Sequence, residues 1–408
     1  MSATSPNTPN SHRQRVAITG MGIASAIGMD EETVWSNLIA GRTGIGPLTI
    51  IDPSDYKVKI CAEVETNHIA QKLAQLKRRP LDRAVDLAMI TAHDALTQAG
   101  LLEGEPPFEE QNIASIIGTC EGTAESHQTV IKDLNRLGPK GIRPTSVPRC
   151  MYNAISAGLS IQFRLNGPNY MVVSACTSAT NAIGAAFRMV RDGYEKIVLT
   201  GGTDSFFTPF FYGVWNNLPA LSKIEDPKQA CRPFDEDRTG TILGEGAGML
   251  VLESYESAKH RGATIKGEIL GYGESSDALH ITSPNPDGQV NAMQRALNDA
   301  GIQAEELSMI NAHGTATKSN DACESRSIRT ILGNATDSVP VVANKSFFGH
   351  TLGASGALET ITTIISLQKK LAPPNLNLGR PDPECNIHLV KHEPVPIKRG
   401  PVMKNSFG

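Results

Sequence analysis

The chain has 408 residues, of which 40% are hydrophobic, and its formal net charge is −4 at pH 7. A chain of this length buries a large core and predicts one or two coupled α/β domains. The negative charge argues against a general nucleic-acid or membrane-surface binder, and no apolar run approaches the roughly 20 residues that cross a bilayer. Seven cysteines without a paired C-x-x-C spacing indicate reduced thiols, so we expect a soluble cytoplasmic protein with no structural zinc.

The first 13 residues form a polar tail rich in Ser, Thr, Asn and Pro, which we predict to be disordered and which has no signal-peptide core. A strand then leads into the segment Gly20-Met-Gly22-Ile-Ala-Ser25, which is similar to a dinucleotide-binding loop. However, Ser25 stands where the third glycine should be, and Asp52, the acidic residue expected about 20 positions on, falls in a turn. The segment therefore does not support a nicotinamide-dependent oxidoreductase.

Two sequence patterns repeat along the chain. A helix, a glycine stop, a strand and a Gly-Thr turn in residues 95–119 recur in the same order in residues 296–315. A strand, a small-residue turn and a helix in residues 172–190 recur in residues 341–367. The repeats predict two related α/β halves, residues 14–258 and 259–408, whose sheets pack around shared helices.

Cys176 stands where the run Val-Val-Ser-Ala gives way to a small-residue helical pattern. This puts a thiol at a helix N-terminus, where the helix dipole and the unpaired first-turn amides favour the thiolate, the form that attacks a carbonyl or thioester. A single cysteine is also commonly a small buried apolar residue. The rest of the chain has to decide between these two interpretations.

Two histidines and a lysine stand in similar strand-to-turn segments. His313 follows Met-Ile-Asn-Ala, and Lys345 and His350 lie in Asn-Lys-Ser-Phe-Phe-Gly-His after another apolar strand. Either histidine alone could be a hydrogen-bonded structural residue. Catalytic Cys/His sites are assembled from distant sequence positions, so Cys176 and the two histidines together predict one catalytic site.

These segments resemble the elongating β-ketoacyl-(acyl carrier protein) synthases of the thiolase superfamily. The resemblance covers nearly the whole chain and includes Ile-Thr-Gly-Met-Gly near Gly20, the motifs that begin at Cys231 and Leu243, and Asn-Ser-Phe-Gly from Asn405. It implies an α/β, thiolase-like fold with two pseudo-repeated halves in a five-layer αβαβα arrangement. The active site would lie between the halves.

The resemblance implies a decarboxylative Claisen condensation. Cys176 would take an acyl group from a thioester on the phosphopantetheine arm of an acyl carrier protein. His313 and His350 would donate hydrogen bonds to the enolate that forms when a malonyl thioester loses CO2. Lys345 would hold nearby groups electrostatically, with Glu324 as a candidate partner. No cofactor or metal of the protein's own is implied.

Four further residues match family positions after His313. Thr315 and Thr317 match hydroxyls that bind the pantetheine arm in the family, although turn capping explains them equally well. Asp321 and Glu324 match acidic residues that we expect to support the site from behind, with plain solvated helix charges as the alternative.

The second histidine, His350, distinguishes among relatives. Chain-initiating and chalcone-type enzymes use Cys-His-Asn, and degradative thiolases use a second cysteine, so His350 points to a malonyl-using elongation enzyme. A catalytically inactive chain-length factor normally lacks the cysteine, so Cys176 favours the active subunit. An inactive partner or scaffold that binds acyl carrier protein is the alternative function, and a thiolase-like acyltransferase that uses acyl-coenzyme A without decarboxylation is a third.

Two features depart from the housekeeping fatty-acid pattern. Asn320 stands where those enzymes usually have glycine, and in this respect the sequence resembles specialised ketosynthases. Fatty acid synthesis and type II polyketide or polyene synthesis therefore both remain possible pathways. The sequence stops at Gly408, before the Phe-Gly-Gly loop and final strand of the family. We therefore expect a truncated C-terminus that lacks one oxyanion-hole amide.

The expected partners follow from the substrate. Acyl carrier proteins are acidic, so a basic docking patch is expected, and Lys77, Arg78 and Arg79 are the candidates, with a solvated helix face as the alternative. Family members are dimers through the first-half sheet, which predicts a homodimer or a heterodimer with a chain-length factor. No nucleic-acid or membrane partner is expected.

Overall fold

The computed structural model describes residues 13–103, 109, 111–280 and 282–408. Most of the predicted tail, residues 1–12, lies outside the described residues. The strands are β1 (Val16–Ala24), β2 (Ile45–Pro47), β3 (Ile60–Ala62), β4 (Ala114–Gly118), β5 (Asn169–Val172), β6 (Ile197–Asp204), β7 (Gly246–Ser254), β8 (Gly267–Ile269), β9 (Met309–Asn311), β10 (Val341–Val342), β11 (Leu371–Ala372), β12 (Val395–Pro396) and β13 (Val402–Lys404). The helices are α1 (Glu31–Ile39), α2 (Thr66–Gln75), α3 (Arg83–Gln98), α4 (Ala124–Leu137), α5 (Ser146–Cys150), α6 (Ala154–Phe163), α7 (Ser178–Arg191), α8 (Pro209–Asn217), α9 (Pro227–Ala230), α10 (Tyr255–His260), α11 (Pro286–Ala300), α12 (Lys318–Leu332), α13 (Lys345–Phe348) and α14 (Ser355–Lys369).

The larger sheet has six strands in the order β5-β4-β6-β7-β1-β8. β4 runs parallel to β5 and β6, whereas β7 pairs antiparallel with β6 and β1. The central strands β1, β6 and β7 are buried almost throughout, as expected for a sheet covered by helices on both faces. α3 and α6 cover one face, and α7 and α14 cover the other.

Gly20 and Gly22, in the middle of β1, allow a helix to pack closely against this strand. A Cβ atom on Gly20 would lie 2.0 Å from the Ala95 carbonyl oxygen, and one on Gly22 would lie 2.0 Å from the Thr91 carbonyl oxygen. Both carbonyls belong to α3, so the two glycines let this helix approach the strand closely. The glycine pattern is thus explained without a dinucleotide.

The smaller sheet has three strands in the order β10-β9-β13, and both pairs are parallel. Apolar residues of α11 and α12 pack on this sheet, and α14 contacts β13 from the other side. The two sheets therefore have α7 and α14 between them and further helices outside. This is the predicted five-layer αβαβα arrangement.

The predicted repeat is visible in the topology. β4 follows α3 and is flanked by two parallel strands, and β9 follows α11 and is flanked in the same way. β8 lies after residue 258 and yet completes the larger sheet by pairing with β1. The boundary between residues 258 and 259 stays a prediction. None of the helices in the described part of the chain has the length and apolar character needed to cross a bilayer.

Candidate active site

Cys176 lies in a single 3₁₀ turn, Ala175–Thr177, between the end of β5 and the start of α7. The residue before it, Ala175, has φ of 52°, a left-handed conformation that costs energy for a residue with a Cβ atom and is found at functional sites. The Thr177 hydroxyl donates to the Ser174 carbonyl at 2.7 Å and fastens the turn. The sequence thus places the thiol at a helix start, as predicted.

Cys176, His313 and His350 come together between the two halves. The Cys176 Sγ atom and one imidazole nitrogen of each histidine lie within 4.8 Å of one another. The imidazole rings are 5.5 Å apart and nearly perpendicular, and both histidines are almost fully buried. The Phe407 ring lies edge-on to His313 at 5.9 Å. The three residues that the sequence analysis combined therefore form one cluster.

His350 is held in a single tautomer. The Leu352 backbone N–H donates to His350 Nδ1 at 3.2 Å, and the Ser355 hydroxyl also contacts this nitrogen, at 3.0 Å. Because an amide can only donate, Nδ1 is the acceptor, and the proton of the neutral imidazole is on Nε2. His350 therefore offers an N–H donor from Nε2.

His313 has the same tautomer for a different reason. Lys345 Nζ lies 3.3 Å from His313 Nδ1 and donates to the His313 carbonyl at 2.5 Å. An ammonium has no lone pair, so Nδ1 accepts and Nε2 carries the proton. The ion-pair partner of Lys345 is Glu359, at 2.5 Å, with both side chains fully buried. The candidate pairing of Lys345 with Glu324 is wrong, because Glu324 is engaged by backbone amides instead.

Burial sets the protonation of the cluster. It lowers the pKa of both histidines well below the usual value, and the Lys345 ammonium lowers it further, so both imidazoles are neutral. Burial also raises the pKa of Cys176 to about 11, against the opposing charge of Lys345. The resting side chain is therefore a thiol, unlike the expected thiolate, and the attacking thiolate depends on Lys345 and the start of α7 for its stabilisation.

Asp321 and Glu324 lie on the first turns of α12, directly behind His313. Glu324 accepts hydrogen bonds from the backbone amides of His313 and Gly314, both at 2.8 Å. Asp321 accepts one from the Phe234 amide at 2.8 Å. Both carboxylates are fully buried, which rules out the alternative that they are solvated helix charges. Glu324 therefore holds the backbone that carries His313, and Asp321 fastens the Phe234 backbone to the start of α12.

Thr315 and Thr317 lie in the loop between His313 and α12. Their hydroxyls are 2.8 Å apart, and the Thr317 side chain accepts from the Asn320 amide as the N-cap of α12. The capping alternative therefore accounts for Thr317. A role of either hydroxyl in binding the pantetheine arm stays a prediction.

Asp204 links the two halves behind the cluster and was missed by the sequence analysis. It is fully buried and accepts hydrogen bonds from the Thr119 hydroxyl (3.1 Å) and from the backbone amides of Cys120 (2.8 Å), Glu121 (3.1 Å) and Gly353 (2.7 Å). Burial raises the pKa of this carboxyl to about 7, against the effect of these amides. Its position at the end of the buried strand β6 was the available signal.

The basic run Lys77, Arg78 and Arg79 follows the end of α2 and is not part of the Cys-His-His cluster. Lys77 and Arg79 are exposed, and Arg78 donates to Gln162 at 2.8 Å. Exposure fits a docking patch and a solvated surface equally well, so the docking role stays a prediction.

The same cluster has the donor set of a metal site. A thiolate and two imidazoles within 4.8 Å could hold a zinc ion. Since Leu352 and Lys345 contact the two Nδ1 atoms, a metal would have to use Cys176 Sγ and both Nε2 atoms. These are the atoms that the predicted condensation needs, and the absence of a metal stays a prediction.

Comparison with known proteins shows which family has this fold and this cluster. The models of the N-terminal and C-terminal domains of β-ketoacyl synthases match residues 13–258 and 266–379. The chain is 39% identical over 405 residues to a 3-oxoacyl-[acyl-carrier-protein] synthase 2 of Synechocystis sp. (strain ATCC 27184 / PCC 6803 / Kazusa), covering 98% of this chain and 96% of the relative. It is 38% identical over 400 residues to the protein of the same name from Staphylococcus aureus (strain COL), with 98% and 96% covered.

A solved structure described as the ishigamide ketosynthase/chain length factor superposes with a TM-score of 0.88, at 34% identity and with 96% of each chain covered. The fold is therefore the thiolase-like arrangement of condensing enzymes, as predicted. The chain belongs to the β-ketoacyl synthase family, and its enzyme class is that of an acyltransferase.

Proposed function

We propose that this chain is an elongating ketosynthase that condenses an acyl group held on Cys176 with a malonyl group held on an acyl carrier protein. The observation that carries the proposal is the cluster itself, in which a thiol at a helix start faces two neutral histidines whose protons are on Nε2. The relatives' name, 3-oxoacyl-[acyl-carrier-protein] synthase 2, supports the carrier protein as partner.

In the first step, the Cys176 thiolate attacks the carbonyl carbon of an acyl thioester. The C–S bond to the carrier's pantetheine breaks, the carrier leaves as a thiolate that takes up the proton given up by the Cys176 thiol, and the acyl group remains on Sγ. The Cys176 backbone N–H, at the start of the turn that leads into α7, is a natural donor to the developing oxyanion.

In the second step, a malonyl thioester loses CO2, and the electron pair of the broken C–C bond becomes a thioester enolate. The Nε2–H groups of His313 and His350 donate to the enolate oxygen. The enolate carbon attacks the acyl carbonyl, the new C–C bond forms and Cys176 leaves. Neutral histidines suit this role because they donate without first gaining a proton.

Two related proposals concern assembly. β5 is an edge strand of the larger sheet. Tyr170 within β5 and Val173 just after it are 40% and 50% exposed, which supports pairing of this edge with a second copy or a related chain. Exposed Lys77 and Arg79 support docking of an acidic carrier protein. Whether the acyl chain is a fatty acid, a polyketide or a polyene stays a prediction, as does a cytoplasmic location.

The test is intact-protein mass spectrometry after incubation with a panel of acyl-carrier thioesters and then with malonyl-carrier protein. We expect an acyl adduct on Cys176 that disappears as a β-ketoacyl carrier two carbons longer forms. Cys120→Ala, which removes a neighbouring thiol, should form the same adduct. No adduct with any acyl carrier would reject catalysis and favour the inactive carrier-binding partner. Product formation without CO2 release would favour the acyl-coenzyme A acyltransferase.

A further inference from the structure

Lys404 is a second buried lysine beside the site, which the condensation as proposed does not use. It is the last residue of β13 and pairs with Asn311, two residues before His313. Its side chain is only 9% exposed. A lysine in such a place needs partners for its charge, because an unpaired buried ammonium is costly.

The partners of Lys404 come from both halves of the protein. Nζ lies 3.3 Å from Glu359 Oε2 on α14, and it donates to the Thr180 hydroxyl at 2.8 Å and to the Ser406 hydroxyl. Thr180 lies on α7, four residues after Cys176, and its hydroxyl also contacts that of Ser406 at 2.8 Å. Lys404 therefore joins the nucleophile's helix to the helix that follows His350.

Glu359 connects this contact to the histidines. Its Oε1 atom pairs with Lys345, which contacts the His313 carbonyl and Nδ1, while its Oε2 atom faces Lys404. One carboxylate thus stands between two ammonium groups. The surplus positive charge lies beside both imidazoles and lowers the pKa of each.

We propose that Lys404 is a positioning residue of the ketosynthase site, which fixes Glu359 and Lys345 against His313 and ties the Cys176 helix to the same network. This inference rests on the proposed function. The charged groups that act on Lys404 are Glu359, Lys345 and Glu324.

The buried position of Lys404 should make the condensation rate depend on pH. Burial lowers the pKa of Lys404 to about 8, and Glu359 opposes this effect. Below that pH the ammonium holds Glu359 and Thr180. As pH rises through about 8 the charge is lost, and the network loosens. The condensation rate should therefore fall between roughly pH 7 and 9, with a midpoint near 8.

The experiment compares full-length wild type, Lys404→Met, Lys404→Arg and the control Lys398→Met, which makes the same change at an exposed lysine. Condensation rates are measured from pH 6.5 to 9.5, and thermal unfolding checks the fold. Lys404→Met should be slower by about tenfold at pH 7 and lack the inflection near pH 8. Lys404→Arg keeps its charge over the whole range, so it should retain activity at pH 9. Lys398→Met should match wild type.

A second readout does not depend on activity. In Lys404→Met, NMR titration of the imidazole nitrogens should give a higher pKa for His313 and His350 than in wild type, because a nearby positive charge is gone. If no variant condenses anything, the proposed function fails, yet the titration still reports on Lys404. An unchanged titration and pH profile in folded Lys404→Met would overturn the inference. If Lys404→Met does not fold, a wild-type rate without an inflection near pH 8 overturns it.

Discussion

The two sides of the site are held in different ways. Cys176 is held by neutral groups: a left-handed turn at Ala175 and the hydroxyl of Thr177 bonded to the Ser174 carbonyl. His313 is held by buried charges, since Glu324 binds its backbone and Lys345 contacts its ring. His350 is held by two neutral groups, the Leu352 amide and the Ser355 hydroxyl. The comparison teaches that a nucleophile needs a defined backbone position, whereas hydrogen-bond donors must also be kept in one protonation state and one tautomer. Burial and the Lys345 charge keep both rings neutral, and the contacts to the two Nδ1 atoms fix the tautomers.

The largest loss of activity is expected from a change at Cys176. Cys176→Ala removes the atom that carries the acyl group, so condensation should fall by about 10⁴-fold or more. The fold should be retained, because the side chain is only partly buried and takes no part in the ion pairs. Product formation and intact mass measure this. Substantial condensation by Cys176→Ala would mean that another residue carries the acyl group, and Cys120→Ala is the matched control.

Removing one of the two histidine donors should separate acylation of Cys176 from malonyl decarboxylation. His350→Ala loses one hydrogen bond to the enolate, so malonyl decarboxylation should slow by about 10²–10³-fold, while acylation of Cys176 proceeds. CO2 release and the acyl adduct are measured separately on the same samples. The opposite pattern, with acylation lost and decarboxylation intact, would contradict the assigned roles.

Breaking the ion pair between Lys345 and Glu359 should show how much this pair contributes to the stability of the protein. Lys345→Met leaves a fully buried carboxylate facing one fewer partner and should lower the free energy of unfolding by about 3–5 kcal/mol. The loss in the double variant with Glu359→Gln should be smaller than the sum of the two single losses, and chemical denaturation of the single and double variants gives the coupling. Equal and additive losses would show that the two side chains do not interact energetically.

A smaller effect is expected behind His313. Glu324→Gln keeps the shape but removes the charge from two amide hydrogen bonds, and should cost about 2 kcal/mol of stability. Malonyl decarboxylation should slow more than acylation, because only the histidine side is disturbed. Glu305→Gln, at an exposed turn, is the control and should change neither. A larger effect on acylation than on decarboxylation would contradict this division.

The last prediction is that the protonation of His313 and His350 does not change at mildly acidic pH. Burial and Lys345 lower the pKa of both histidines, so their rings should remain neutral as the pH falls through 6.5. Nitrogen NMR at pH 6 should find the proton on Nε2 of His313 and His350. Protonated rings, or a proton on Nδ1, would remove the basis for their role as donors.

Local patterns predicted which residues come together in the cluster. Cys176, His313 and His350 each follow an apolar strand, and a strand end is a feature that a sequence displays. The partner of Lys345 was predicted wrongly, because the choice between Glu324 and Glu359 depends on how α12 and α14 pack against α13. The one acidic residue in the buried run of α14 was the signal for Glu359. Asp204 and Lys404 act across layers, and no short sequence pattern shows which strand ends meet.

The carboxylate of Asp204 has a mechanical consequence. It bonds the loop after β4 within its own half and Gly353 in the second half, so separating the halves would break the buried 2.7 Å hydrogen bond from the Gly353 amide and expose the carboxyl group. A hinge at this seam would be costly to open.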